Sequence, residues 1–211
     1  MYLVRKCPFC YNQTILLILV PLTYATSPGN LFVDESCIDC DTCRWMCPQV
    51  YGRAGIKSAV TKQPVGEKEK IAAYLAMISC PTGSIRLKSP DALVKDAFAV
   101  FPVEIDSENI PGVMHMGFHS ASSYGATPYM VLREDGKNIV IDSPRYNAKL
   151  ADTIEKEHGG MEYMVLTHRD NVQDHDKWKV RFPNLQRIIH RLDAQKSAKT
   201  DDCEVLLEGA S

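Results

Sequence analysis

Cys37, Cys40, Cys43 and Cys47 follow a C-x2-C-x2-C-x3-C spacing, with Pro48 directly after the last, and a second Cys-Pro pair, Cys80-Pro81, lies well downstream. Thiolates are soft donors, and a compact run of them suits an iron–sulfur cluster or a thiophilic metal. A cubane [4Fe-4S] cluster takes four thiolates at fixed directions. The x2 spacings wrap three of them around one side in a tight loop, so the fourth has to come from elsewhere in the fold. The alternatives are a zinc site with four thiolate ligands, or scattered buried thiols. A zinc ribbon usually shows two separate C-x2-C knuckles, unlike a single compact run followed by a distant Cys-Pro.

The run resembles that of bacterial-type ferredoxins, and the resemblance identifies the fourth ligand. In two-cluster ferredoxins the fourth cysteine of each run ligates the other cluster. Had Cys80 ended a second run, its partners would stand at positions now held by Lys70, Ala73 and Ala76. One [4Fe-4S] cluster is therefore expected, on Cys37, Cys40, Cys43 and Cys80, with Cys47 a spare thiol. Trp45, inside the loop, is expected to shield the cluster from water and so tune its potential.

A second constellation, His168, Asp170, Asp174 and His175, follows an apolar strand. Sites in α/β folds sit at the carboxyl ends of strands. Carboxylates are hard donors, so this set tilts towards iron, manganese or zinc. A metal there could activate water for hydrolysis, with Asp174 as catalytic general base or second ligand. The other reading is a solvated polar loop with Asp174 as N-cap of the next helix. His115 and His119 read as partly buried structural histidines, His190 as a further candidate facing the metal loop, and Cys203 as an ordinary thiol.

The elements that must position these residues set the domain plan. Residues 1–30 read as a leader, disordered or targeting. Its apolar run Ile15–Val20 is too short for a membrane span, which needs about 20 residues, and Cys7 and Cys10 read as two unpaired thiols. Residues 31–88 form the cluster domain: a strand at Leu31–Val33, a turn over Pro48–Gly55, a strand at Ile56–Thr61, a helix over Glu67–Ser79 delivering Cys80, and a closing strand. Residues 89–111 read as a linker containing one short helix near Ala92–Val100. The second domain, 112–211, opens with a hairpin turning at Asp135-Gly136. A helix over Asn147–His158 stopped by Gly159-Gly160, a buried strand at Met161–Leu166, a helix through Trp178 and a strand at Arg187–His190 follow. The fold class is α+β.

Net charge is -2 with a pI near 6.3, which leaves no electrostatic footprint for nucleic acid or an anionic membrane. Eight cysteines, four of them assigned to a cluster, argue against a disulfide scaffold and for a reducing compartment.

The loop Thr167-His168-Arg169-Asp170 through Asp174-His175 also resembles the first metal motif of the metallo-β-lactamase fold, usually His-x-His-x-Asp-His. Ile139-Val140-Ile141-Asp142 resembles the strand ending in that superfamily's Asp-Thr-Gly. Together with Asp34–Cys43 and Ser79–Gly83, residues 31–208 resemble plant and cyanobacterial ferredoxin-like proteins fused to a metallo-β-lactamase domain; Tyr124–Thr127 and Asp142–Tyr146 also match. The resemblance implies an αββα sandwich, of which 112–211 would be the N-terminal half, and a chloroplast location, with the cytoplasm as the alternative. Three departures stand out. Asp170 occupies a position usually held by His, the Asp-His pair lies two residues late, and the later ligands belong to a second half that this chain is expected to lack.

Three functions follow. The first, favoured, is electron transfer by the cluster to an unidentified redox partner protein. The second is a metal-dependent hydrolase or, with zinc or iron at His168, Asp170, Asp174 and His175, a di-metal redox enzyme of that superfamily. The third is a non-catalytic, degenerate member. No nucleic-acid partner and no stable membrane span are expected, and the sequence leaves the oligomeric state open.

Overall fold

The structure is a computed structural model that describes residues 27–209. Expectations for residues 1–26 of the leader, including Cys7, Cys10 and Ile15–Val20, lie outside the described residues. Its last residues, 27–30, are tied to the cluster domain, where the Ser27 N–H donates to the Val60 carbonyl and the Asn30 side chain to the Ser89 carbonyl.

The cluster domain is built from two small antiparallel pairs and two helices. β1 (Leu31–Val33) leads into the cysteine loop and α1 (Thr42–Met46); β2 (Tyr51–Ala54) and β3 (Lys57–Val60) form a hairpin; α2 (Gly66–Ser79) returns to the loop; β4 (Ile85–Leu87) closes on β1. The second half of the segment read as a turn over Pro48–Gly55 is strand β2, because Tyr51 packs into the core while Gly55, at φ +61, makes the turn itself. In α2 the side chains of Ala73, Tyr74, Ala76 and Ile78 are buried, a face shifted towards small residues from the apolar set Ile71, Tyr74, Leu75 and Ile78. Small residues allow α1 and α2 to approach closely. Glu69 accepts the Val65 N–H and so caps the helix from inside its first turn.

Residues 89–111 do more than link. α3 (Leu93–Val100) packs on α2, and β5 (Val103–Glu104) pairs with β6 (Val113–His115), so the second sheet begins before Gly112. β5 is two residues long and flanked by Pro102, which hides it from any test of periodicity.

The second domain carries β7 (Tyr129–Val131), β8 (Ile139–Ile141), α4 (Ala148–His158), β9 (Tyr163–Leu166), α5 (His175–Arg181), β10 (Gln186–His190) and β11 (Val205–Leu207). Its seven strands lie in the order β11-β10-β9-β8-β7-β6-β5, antiparallel from β5 to β8 and parallel from β8 to β11. Met114, Met130, Val140 and Met164 stand in register across four adjacent strands, each no more than 7% exposed. Burying each such side chain contributes roughly 1.5–3 kcal/mol. This row joins Leu150, Ala151 and Ile154 of α4, Trp178 of α5 and the cluster-domain core in one continuous apolar cluster.

The helix ends obey local chemistry. The Asn147 side chain accepts the Lys149 and Leu150 N–H groups, and Gly159 ends α4 at φ 76. Asp174 does stand at the start of α5, but in a left-handed conformation and without capping it. No helix among the described residues is long and apolar enough to cross a membrane.

Candidate cluster site

Asp39 and Asp41, on either side of Cys40, adopt φ 57 and φ 70. Two left-handed residues, a conformation that Asp tolerates better than most, coil the chain tightly between Cys37 and Cys43. Arg44 fixes this coil by donating to Asp39, Asp41 and the Ser58 hydroxyl. Cys80 arrives from the opposite side as the residue that ends α2.

Cys37, Cys40, Cys43 and Cys80 line one cavity, walled by Val33, Ile38 and Ile85, with no carboxylate or imidazole in its lining. The Cys40 and Cys80 sulfurs lie 3.4 Å from the Thr42 and 3.6 Å from the Thr82 hydroxyl, respectively. Among the described residues no three His, Cys, Asp or Glu side chains gather closely enough to hold one ion. Zinc needs its four donors on a single ion. A cubane carries an iron at each of four corners, one thiolate apiece. These cysteines share a cavity without sharing a point, and an all-thiolate donor set arranged in that way fits the cluster.

Burial pushes the Cys43 thiol up to about 11, and the neighbouring Cys40 and Cys80 add to the shift. Anionic sulfurs in so apolar a cavity repel one another until bound metal compensates them. Cys47 is fully buried outside the cavity lining, and burial pushes its thiol up to about 11 as well.

Residues 33–87 match the family model described as the 4Fe-4S single cluster domain of ferredoxin I. This segment is a ferredoxin-like iron–sulfur domain. The match runs from Val33 in β1 to Leu87 in β4, the two strands that close the ferredoxin-like domain, and spans all four cavity cysteines. No curated protein matches the chain. The match does not extend into the second domain.

The second domain packs directly against the ferredoxin-like domain. Gly125, at φ +80, sits so close that a Cβ there would lie 3.0 Å from the Cβ of Cys40. His119 Nδ1 is 3.3 Å from the Thr42 hydroxyl, and its Nε2 is 2.8 Å from Nε2 of His115. Both imidazoles are fully buried rather than partly so, and burial pulls them down to about 4 for His115 and about 3 for His119. Trp45 packs edge-on against His115 and is half exposed; it does not line the cavity, so its expected shielding role passes to Ile38, Val33 and Ile85.

The His/Asp loop is organised differently. His168 and Asp170 are exposed at the loop tip, where His168 Nδ1 accepts the Asp170 N–H. Asp174 is turned inward, accepting from the Tyr146 N–H, the Gln173 carboxamide and Lys177. His175 is buried, with Nε2 on the Ala198 carbonyl at 2.8 Å and Nδ1 on the Arg187 guanidinium at 3.1 Å. The four do not converge: two face solvent and two are held by other partners. His190 Nδ1 accepts the Leu192 N–H, and its ring lies beside Gly209. Cys203 is a buried free thiol, pushed up to about 11 by burial.

Two residues that shape these sites entered the sequence reading only as parts of matching stretches, with no role assigned. Asp142, buried at the end of β8, accepts from the Thr167 N–H and hydroxyl and from Asn171, and so ties down the base of the His/Asp loop. Arg145, three residues on, reaches into the ferredoxin-like domain.

Proposed function

We propose that this chain is a one-electron carrier whose ferredoxin-like domain holds a single [4Fe-4S] cluster on Cys37, Cys40, Cys43 and Cys80. The observation that carries this reading is the shared cavity: it takes Cys80 from α2 together with three thiols of the loop, and leaves Cys47 outside. Bound there, the cluster supplies reversible one-electron chemistry. The chain's own residues hold and insulate it. Val33, Ile38 and Ile85 exclude water, and Thr42, Ser58 and Thr82 set hydroxyls about the sulfurs. Cys43 and Cys80 are buried while Cys37 and Cys40 are partly exposed, so electrons pass to a redox partner protein on the Cys37–Cys40 side. A reducing compartment, cytoplasm or chloroplast, suits this set of free thiols.

Hydrolysis at the His/Asp loop is the less supported reading, since His175 and Asp174 already have other partners. The ligand assignment is tested by two variants purified anaerobically. Cys80→Ala is expected to lose the stable [4Fe-4S] signal and Cys47→Ala to keep full iron and sulfide. The reverse pattern would overturn it.

A further inference from the structure

Arg145 is a cation of the second domain placed against the ligand segment of the first. Its Nε donates to the His119 carbonyl at 2.6 Å, and one terminal nitrogen reaches the carbonyls of Ile78 at 3.3 Å and Cys80 at 3.5 Å. Those carbonyls belong to the C-terminal end of α2, where unpaired oxygens and the helix dipole concentrate negative charge. The side chain is half buried, and it lines the groove between the domains with Asn147, Phe118 and Cys80.

Its partners are all carbonyl oxygens. The arginines of the ferredoxin-like domain differ: Arg44 pairs with Asp39 and Asp41, Arg53 with Asp39, and Arg86 with Asp34. Asp174, a carboxylate near Arg145, is turned to Lys177, Gln173 and the Tyr146 N–H instead. A partly desolvated cation held by carbonyl dipoles, with Asp174 acting on it only through space, gains from any further negative charge that faces it. Four thiolates around a cubane leave a net negative charge, and reduction adds one more.

Resting on the electron-carrier reading, we propose that Arg145 is a positioning residue of the second domain that serves as counter-ion to the cluster and raises its reduction potential. Reduction takes one electron from the redox partner, breaks no bond and moves no proton; the added charge is met by the fixed guanidinium. The second domain thereby sets the potential of the first.

The test is an EPR-monitored redox titration of the full chain, purified anaerobically. Arg145→Gln keeps a hydrogen-bond donor and removes the charge. It is expected to lower the equilibrium constant for reduction about tenfold, a midpoint about 59 mV more negative for one electron. Arg145→Lys keeps the charge and is expected to stay closer to wild type than Arg145→Gln. Asn147→Asp leaves Arg145 intact and preserves the cap on α4, since Asp caps as well as Asn. It adds a carboxylate to the same groove, and a smaller negative shift is expected. Should Arg145→Gln fail to assemble a cluster, Asn147→Asp decides. A wild-type midpoint in cluster-loaded Arg145→Gln, or in Asn147→Asp when only that variant is loaded, overturns the role of Arg145 and leaves the electron carrier standing. A wild-type chain that takes up no cluster removes both.

Discussion

The loop at residues 37–43 and the loop at residues 167–175 hold metal-binding side chains at similar density, yet the fold treats them in opposite ways. In the first, left-handed Asp39 and Asp41 turn the thiols inward, and Cys80 arrives from α2 to complete a common cavity. In the second, Asp142 pins the base of the loop while His168 and Asp170 point to solvent and Asp174 and His175 are held by other residues. Ligand chemistry alone does not make a site. The side chains must also be left without better partners, and thiols, poor hydrogen-bonding groups, are freer in that respect than imidazoles and carboxylates.

The sharpest way to break this contrast is to remove ligands from each loop and count metal. Cys37→Ser is expected to eliminate stable cluster iron, whereas an Asp174→Ala, His175→Ala double variant is expected to leave iron and zinc content by elemental analysis unchanged. Loss of a metal equivalent from the double variant would restore the second loop as a site. Next in size is Asp142→Ala. It leaves the Thr167 N–H without its acceptor and the Asn171 carboxamide with the Thr167 hydroxyl alone. A loss of about 2–4 kcal/mol in denaturant unfolding is expected, with cluster content intact.

One side of this contrast was legible in the sequence; the other was not, since His168, Asp170, Asp174 and His175 read as a metal site there. The cysteine spacing encodes a geometry that few other arrangements share, and Cys80, singled out through the ferredoxin resemblance and the missing partners at 70, 73 and 76, lines the same pocket as the three loop thiols. The helix of the second domain was readable because Asn147 and Gly159 mark its ends and Leu150 and Ile154 its buried face. The short strands β2, β5 and β11 were not, since two to four residues carry no period. The partners of His175 were equally hidden. Arg187 lies 12 residues away and Ala198 lies 23, and only the parallel crossover to β10 brings them in. The contacts of Arg145 with the ferredoxin-like domain were hidden for the same reason, because they span 65 and 67 residues.

The smallest expected effect concerns the seam between the domains. His115 and His119 are buried and neutral, pulled down to about 4 and about 3. Unfolded imidazoles titrate near ~6.5, so below that pH the unfolded chain binds protons that the native seam refuses. Stability therefore falls as pH drops from about 6.5 towards 4 and 3, and is fully present above 6.5. A His115→Gln, His119→Gln double variant is expected to show a shallower dependence of its unfolding midpoint on pH. An unchanged slope would show that the pair does not govern the seam.

The central claim is one cubane cluster in the cysteine cavity and no second metal. Iron, sulfide and zinc analysis of the anaerobically purified full chain, with low-temperature EPR after dithionite reduction, tests it most directly. About four iron and four sulfide per chain, a reduced-cluster signal and no further metal are expected. One zinc with no sulfide, or an extra equivalent of iron or zinc that survives removal of the cluster, would contradict it.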